Sequence, residues 1–297
     1  MKTAMAGSEV KLQNILMATD FSSTSEKALR YAMAIAIRYN STLHLLHAIE
    51  PTAVEFLALG AAPQAYEELQ RAPAEQLEEQ ATKLQGVRHQ VYLVQGAASK
   101  AVQGLAPEAH ADLVVVGTHG AQGLKKLVFG STAEEIYRTA TCPVLTVGPH
   151  AREIDLAIGL NCILFPTDLM SDESRALAHA MSLAKRHNAH LILLHVLVGV
   201  QPPAPQEAEQ FEKPGVARLR HLIPGDANLP YPAELRIAYG QTAPDAILQV
   251  AHEAAADLVV LSVRPEESWA TRLPDKASRI VAASPCPVLT VRENESA

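Results

Sequence analysis

Positive charge, cysteine, aromatic side chains and long apolar runs are all in short supply in this sequence. Lys and Arg number 25 against 32 Asp and Glu, a formal net charge of -7. A mildly acidic surface of this kind has no electrostatic footprint for DNA or RNA, and no basic stretch is present to hold an anionic membrane. The longest apolar stretches, DLVVVG and LILLHVLVGV, fall far short of the ~20 residues of a membrane span. The opening MKTAMAGSEVKLQN lacks a long apolar core, so no secretory signal is expected. Three cysteines in 297 residues argue against a disulfide framework and for a reducing compartment. Aromatics are only 4% of the chain, yet 48% of it is hydrophobic, enough for one large domain or two of ordinary size. The reading at this level is a soluble, cytoplasmic protein.

What the chain does contain is an internal repeat. Residues 15–47 align with 163–195 without a gap, ILMATDFSS on ILFPTDLMS and STLHLLH on AHLILLH. ADLVVVG at 111–117 returns as ADLVVLS at 256–262, and CPVLTV occurs at both 142–147 and 286–291. That spacing is the size of a whole domain rather than of a solenoid repeat, so it marks a duplication.

Each copy reads as strands alternating with helices. In the first, strands are expected at Asn14–Thr19, Leu43–Ile49, Gln90–Val94, Leu113–Val116 and Val144–Val147. Helices are expected at Thr24–Tyr39, where Ala28, Leu29, Ala32, Met33 and Ala36 have helical spacing, at Tyr66–Gln85 with a kink or start at Pro73, at Ser99–His110, weakened by Gly104 and Pro107, and at Thr132–Thr139. The unbroken apolar run Leu113–Val116 suits a strand covered on both faces. This alternation predicts an α/β fold with a parallel, doubly wound sheet. Ligands in such sheets bind beyond the carboxyl ends of the strands, where strand order reverses. The loops after Thr19, Ile49 and Val116 are therefore the ones that matter.

After the fourth strand comes GTHGAQGLKKLVFGSTAEEI, with Gly117, Gly120, Gly123 and Gly130 and then Ser131. It is neither a G-x4-G-K-[ST] loop nor a G-x-G-x-x-G turn; its spacing is G-x2-G-x9-G-S. Glycines at a strand end let backbone N–H groups approach phosphate oxygens without a Cβ in the way. Gly130-Ser131 falls where the last helix begins, so free amides and the helix dipole favour an anion there. The loop also exceeds the ~2–6 residues usual for a βα connection. Gly123 as a simple turn and Ser131 as a simple N-cap remain alternative readings.

On ATDFS, G-x2-G-x9-G-S and CPVLTV, the chain resembles the universal stress protein family, specifically its tandem two-domain members with an ATP-binding first domain. The resemblance covers nearly the whole chain. It implies two five-stranded doubly wound domains, 1–150 with an intact nucleotide loop and 151–297 with a degenerate one. It also implies a pseudo-twofold axis across which the two VLTV strands pair, making an intrachain pseudo-dimer and leaving a further homodimer open. Residue by residue, it implies that Asp20 binds the ribose hydroxyls. Ala18 and Thr19 line the adenine side, and the Ala48 backbone meets adenine. Gly117, His119, Gly120, Gly130, Ser131 and Thr132 cradle the triphosphate. The implied cofactor is ATP, with or without Mg²⁺. Lys125 and Lys126 are solvated loop charges by default, with a terminal phosphate as the alternative.

The second half departs from this pattern in SVRPEESWATRLPDKASRI. Ser262 and Pro265 stand for Gly117 and Gly120, and Pro274-Asp275 for Gly130-Ser131. Proline offers no N–H to a phosphate, Asp275 would cap the helix itself, and Glu266 and Glu267 add negative charge. Arg264, Arg272 and Lys276 return some positive charge, and Trp269 has the size to fill a vacated site. Asp168 persists in FPTDL. The expectation is that this half binds no ATP and serves as a folding partner. The repeat pair His47 and His195 reads as strand-end structure rather than as metal ligands. Cys142 and Cys286 read as packing, and Cys162 as buried.

Three functions stay open on sequence alone: an adenine-nucleotide-binding stress-response sensor signalling to an unidentified protein partner, a slow ATP hydrolase using the same site, and a nucleotide-free scaffold. No general base is evident apart from His119, which favours the first.

Overall fold

A computed structural model of the chain describes residues 10–50, 63–118, 130–157, 159–170, 173–263 and 276–293, and the side chains of 63–69 are not among those described. The chain divides into two compact units. One comprises Leu12–Pro149 with Ile154–Ala157; the other is built on the C-terminal half and takes in His150–Glu153 and the described residues before Leu12.

In the first unit the elements run β1 (Asn14–Thr19), α1 (Ser23–Tyr39), β2 (Thr42–Ile49), α2 (Pro63–Thr82), β3 (Arg88–Gln95), α3 (Ala98–Glu108), β4 (Leu113–Gly117), α4 (Ser131–Thr139) and β5 (Val144–Val147). The strands are parallel and ordered β3-β2-β1-β4-β5. The second unit repeats the plan with β6 (Cys162–Thr167), α5 (Ser174–His187), β7 (His190–Val198), α6 (Ala208–Leu222), β8 (Glu234–Gly240), α7 (Ala243–Glu253), β9 (Leu258–Val263), α8 (Lys276–Ala283) and β10 (Val288–Arg292). Its parallel order is β8-β7-β6-β9-β10. Right-handed crossovers put α1 and α2 on one face of the first sheet and α3 and α4 on the other. The central strands are buried accordingly: Ile15, Leu16, Met17, Val114 and Val115 in one unit and Ile163, Leu164, Phe165, Val259 and Val260 in the other are fully covered. No described helix is long and apolar enough to cross a membrane.

Two expectations need correction. The second helix, expected at Tyr66–Gln85 with a kink or start at Pro73, runs Pro63–Thr82 with Pro73 inside it. The third runs Ala98–Glu108 with Pro107 in its last turn. Buried Ser99 and Val102 anchor it, so packing outweighs the low helix propensity of Gly104 and Pro107.

The duplication preserves the carboxyl cap of the first helix in each unit. α1 and α5 both end on an asparagine in the left-handed region, Asn40 at φ 55° and Asn188 at φ 56°, where a short polar side chain is tolerated. A carboxylate also ties the amino ends of the central strands in each unit. Asp112 Oδ2 accepts the N–H of Gln13 at 2.7 Å and of Asn14 at 3.0 Å. Asp257 Oδ2 accepts those of Asn161 at 2.8 Å and Cys162 at 3.0 Å. Hydrogen bonds to a charged acceptor contribute more than neutral ones. Asp112→Ala and Asp257→Ala should therefore each lower stability by about 1–3 kcal/mol, read as an earlier urea transition of the full chain. A change below ~0.5 kcal/mol would mean that the clamp is idle.

Candidate functional site

The reversal of strand order falls between β1 and β4 in the first unit, and a cleft of about 480 Å³ opens at their carboxyl ends. Its walls come from four places. β1 supplies Ala18, Thr19 and the following Asp20; β2 supplies Ala48 and the following Glu50; β4 supplies Val116, Gly117 and the following Thr118; the start of α4 supplies Gly130, Ser131, Thr132, Ala133 and Ile136. Ser25 of α1 and Ala98 of α3 complete it.

The backbone turns sharply after β1. Phe21 has φ 62°, a left-handed conformation that costs a non-glycine residue roughly 1–2 kcal/mol. Three hydrogen bonds and one ring contact hold it. Thr19 Oγ1 accepts the Phe21 N–H at 3.1 Å, and Asp20 Oδ1 accepts the Ser22 N–H at 3.1 Å. The imidazole of His47 donates from Nδ1 to the Thr19 carbonyl oxygen at 2.8 Å, and its ring lies 4.3 Å from that of Phe21. The turn leaves Asp20 exposed at the cleft mouth. His195 repeats the contact to the Thr167 carbonyl at 3.0 Å, so both histidines are strand-end structure, as their repeat position suggested.

Close approach explains two glycines. A Cβ on Gly117 would lie 3.0 Å from the Ser25 backbone nitrogen, and one on Gly130 only 2.6 Å from the Thr118 carbonyl oxygen. The Gly130 N–H donates to that same oxygen at 2.8 Å. Gly130 itself is the N-cap of α4 and has no side chain to cap it. Ser131 is the first residue of the helix, so it is not the N-cap. Ser131 and Thr132 are exposed while Ala133 and Ile136 are buried beneath them. The first turn of α4 thus presents backbone amides and two hydroxyls to the cleft.

The cleft therefore gathers Ala18, Thr19, Asp20, Ala48, Gly117, Gly130, Ser131 and Thr132. His119 and Gly120 lie outside the described residues, as do Gly123, Lys125 and Lys126. Sequence reasoning missed Ser25, Glu50, Ala98 and Thr118. Glu50 closes a strand, where a charge reads as solvated, and its partner is far away in sequence: Oε1 accepts the Ala98 N–H at 3.0 Å.

In the second unit the loop substitutions Arg264, Pro265, Glu266, Glu267, Trp269, Arg272, Pro274 and Asp275 lie outside the described residues. Ser262 is described, and it has a different environment from Gly117. Its hydroxyl donates to Glu293 Oε1 at 3.4 Å, while the same carboxylate accepts the N–H groups of Arg175 at 3.1 Å and Ala176 at 2.9 Å. Burial raises the Glu293 carboxyl above its ordinary value, against the lowering effect of those two amides. An internal carboxylate from the end of β10 thus holds the first turn of α5.

The thiols are poorly suited to chemistry. Burial pushes Cys142 and Cys162 up to about 11 and Cys286 up to about 12. Cys162 is half-buried rather than buried, because it opens β6. Among the described residues no group of His, Cys, Asp and Glu is arranged to hold a metal ion.

Comparison with known proteins adds to this geometry. A sequence model of the universal stress protein family matches residues 11–148 and again 161–292. A universal stress protein of Mycolicibacterium smegmatis is 26% identical over 223 residues, covering 71% of this chain and 74% of that protein. One from Thermus aquaticus is 34% identical over 138 residues, 46% of this chain and 98% of its own length. The solved structure of a universal stress protein from Archaeoglobus fulgidus superposes with a TM-score of 0.71 at 19% identity, covering 95% of this chain and 98% of that one, a likeness of fold.

The glycine contacts predict a contrast. Gly130→Ala forces the Thr118 carbonyl away and should cost about 1–3 kcal/mol. Gly104→Ala, in the body of α3 with nothing within 4 Å of the added methyl, should stabilise by about 0.4–1 kcal/mol. Urea unfolding of the full chain measures both; equal stability of the two variants would contradict the packing described.

Proposed function

The chain belongs to the universal stress protein family, and on that premise we propose that its first half binds ATP or a related adenine nucleotide and acts as a nucleotide-dependent sensor in stress response. The observation that carries the proposal is the polarity of the cleft. One end is the first turn of α4, where Gly130 provides no side-chain cap and Ser131 and Thr132 provide hydroxyls. Amides and a helix dipole at that end favour an anion. Asp20, after β1 next to β4, and Glu50, after β2 on the far side of β1, also line the cleft; when ionised they only accept hydrogen bonds and so match hydroxyl or amino donors. A nucleoside phosphate has this same polarity, and the cleft volume lies within the range of small-molecule sites, roughly 300–1,000 Å³.

In this reading Asp20 takes the ribose hydroxyls through the carboxylate oxygen not engaged by Ser22. Ala18, Thr19 and Ala48 flank the base, and Gly117, Gly130, Ser131 and Thr132 hold the phosphates. By family resemblance His119 and Gly120 complete the cradle. Any Mg²⁺ travels with the phosphates and keeps most of its water shell, since the described cleft offers it no ready set of ligands. The second half is a folding partner without a nucleotide. The signal passes to a protein partner, in the cytoplasm.

Denaturing the purified chain and quantifying released nucleotide, followed by titration with ATP, tests this. One adenine nucleotide per chain is expected, with Asp20→Ala and Ser131→Ala each weakening ATP by about tenfold, near 1.4 kcal/mol. Absence of saturable ATP binding would sink the proposal. Two nucleotides per chain would sink the assignment of the second half.

A further inference from the structure

Among the described residues, Glu50 is the one charged side chain of the cleft that the family resemblance leaves without a role. It follows β2, is exposed, and lines the cleft beside Ala48 and Ala98. Its Oε1 accepts the N–H of Ala98 at 3.0 Å. The N-cap of α3 is Ala97, which has no side chain to offer, so Glu50 supplies from β2 the acceptor that the helix start lacks.

The repeat solves this capping duty in another way. α7, the counterpart of α3, is capped locally: Thr242 Oγ1 accepts the Asp245 N–H at 3.3 Å. The position of Glu50 in the repeat is taken by Val198, 51% exposed. The same corner of the second unit is therefore capped locally, by Thr242, whose hydroxyl also donates to Asp245 Oδ2 at 2.5 Å, and not from the end of β7. What the first unit has in addition is the cleft.

An ionised carboxylate has about four acceptor positions and no donor, and the Ala98 amide uses one of Glu50's. Glu50 follows β2, which lies across β1 from β4 and the start of α4, so in the reading above it stands on the base side of the cleft. We propose that Glu50 is a specificity-determining residue, its carboxylate accepting a hydrogen bond from an amino group on the base, so that the site selects a 6-aminopurine over a 6-oxopurine nucleotide. This rests on the reading of the cleft as an adenine-nucleotide site. A 6-oxopurine sets an acceptor against the carboxylate and moves its donor to N1, so it must shift in the cleft to reach the same oxygen. A site built around a donor discriminates strongly against an analogue that lacks it, because its own polar group is left unmatched.

The test titrates the full chain, wild type and Glu50→Gln, with ATP and with inosine triphosphate, which carries an oxo group where ATP carries the amino group. Glu50→Gln retains an acceptor for the Ala98 N–H and can turn an amide N–H toward an oxo group. Wild type should prefer ATP by about tenfold or more, and Glu50→Gln should bring the two nucleotides to within about threefold. Glu50→Ala should weaken ATP more than inosine triphosphate. An unchanged preference in Glu50→Gln overturns the inference. So does an equal loss for both nucleotides, which would put the carboxylate on a part they share, such as the sugar. Either result leaves nucleotide binding itself standing, whereas a wild-type chain that takes up neither nucleotide overturns this inference and the reading beneath it together.

Discussion

The reversal of strand order between β1 and β4 is the constraint on which the rest of the structure depends. The chain moves outward from β1 through β2 to β3, then returns to the other side of β1 for β4 and β5. Right-handed crossovers in opposite directions must run over opposite faces. The connections leaving β1 and β4 therefore part company at the carboxyl end of the sheet, and a crevice forms without any side chain having been removed to make room for it. Which residues face the crevice is then fixed by register. Ala18 pairs with Val116 and with Leu46, so the residues just beyond them, at the ends of β1, β2 and β4, converge on one place.

The turn after β1 shows how the fold and the site share residues. Phe21 at φ 62° and Leu169 at φ 61° are the same strained position in the two units. Thr167 Oγ1 accepts the Leu169 N–H at 3.0 Å and Asp168 Oδ1 accepts the Met170 N–H at 2.8 Å, as Thr19 and Asp20 do in the first unit. The aspartate therefore has a structural duty in both halves: it repays part of the cost of a left-handed residue at a strand end. Persistence of Asp168 in a half whose loop has lost its glycines needs no ligand to explain it. In the first unit the same aspartate also lines the cleft, so one residue serves the turn and the cleft wall together.

Much of this was legible in the sequence because it is local or periodic. The ends of β1 and β5 coincide with the apolar runs that announced them, and the parallel sheet follows from their alternation with helices. The repeat then doubled every signal. What the sequence concealed is contact between distant segments. Glu50 and Ala98 are 48 residues apart, and Glu293 meets Arg175 from 118 residues away; each looks alone like a solvated charge. Helix α3 was underrated for a related reason. Propensity registers Gly104 and Pro107 but not the burial of Val102, 1% exposed against the sheet.

The helix starts at this edge of the two sheets differ in how their amides are met, and the difference bears on function. α1 is capped by Ser22, which accepts the Ser25 N–H at 3.2 Å. α3 borrows Glu50, α5 borrows Glu293, and α7 uses Thr242. Each solution brings an oxygen of the protein to amides that would otherwise face solvent. At α4 the N-cap is a glycine without a side chain, and it must stay one, because a Cβ would strike the Thr118 carbonyl. Among the described residues, the side-chain acceptor found at those four starts has no counterpart at α4, whose first turn lines the cleft. Side-chain acceptors at the starts of α1, α3, α5 and α7 lower the affinity of those amides for a foreign anion, whereas the start of α6, like that of α4, has no side-chain cap. Between α3 and α4 of the first unit the contrast therefore lies in where a side-chain acceptor is placed and where it is withheld.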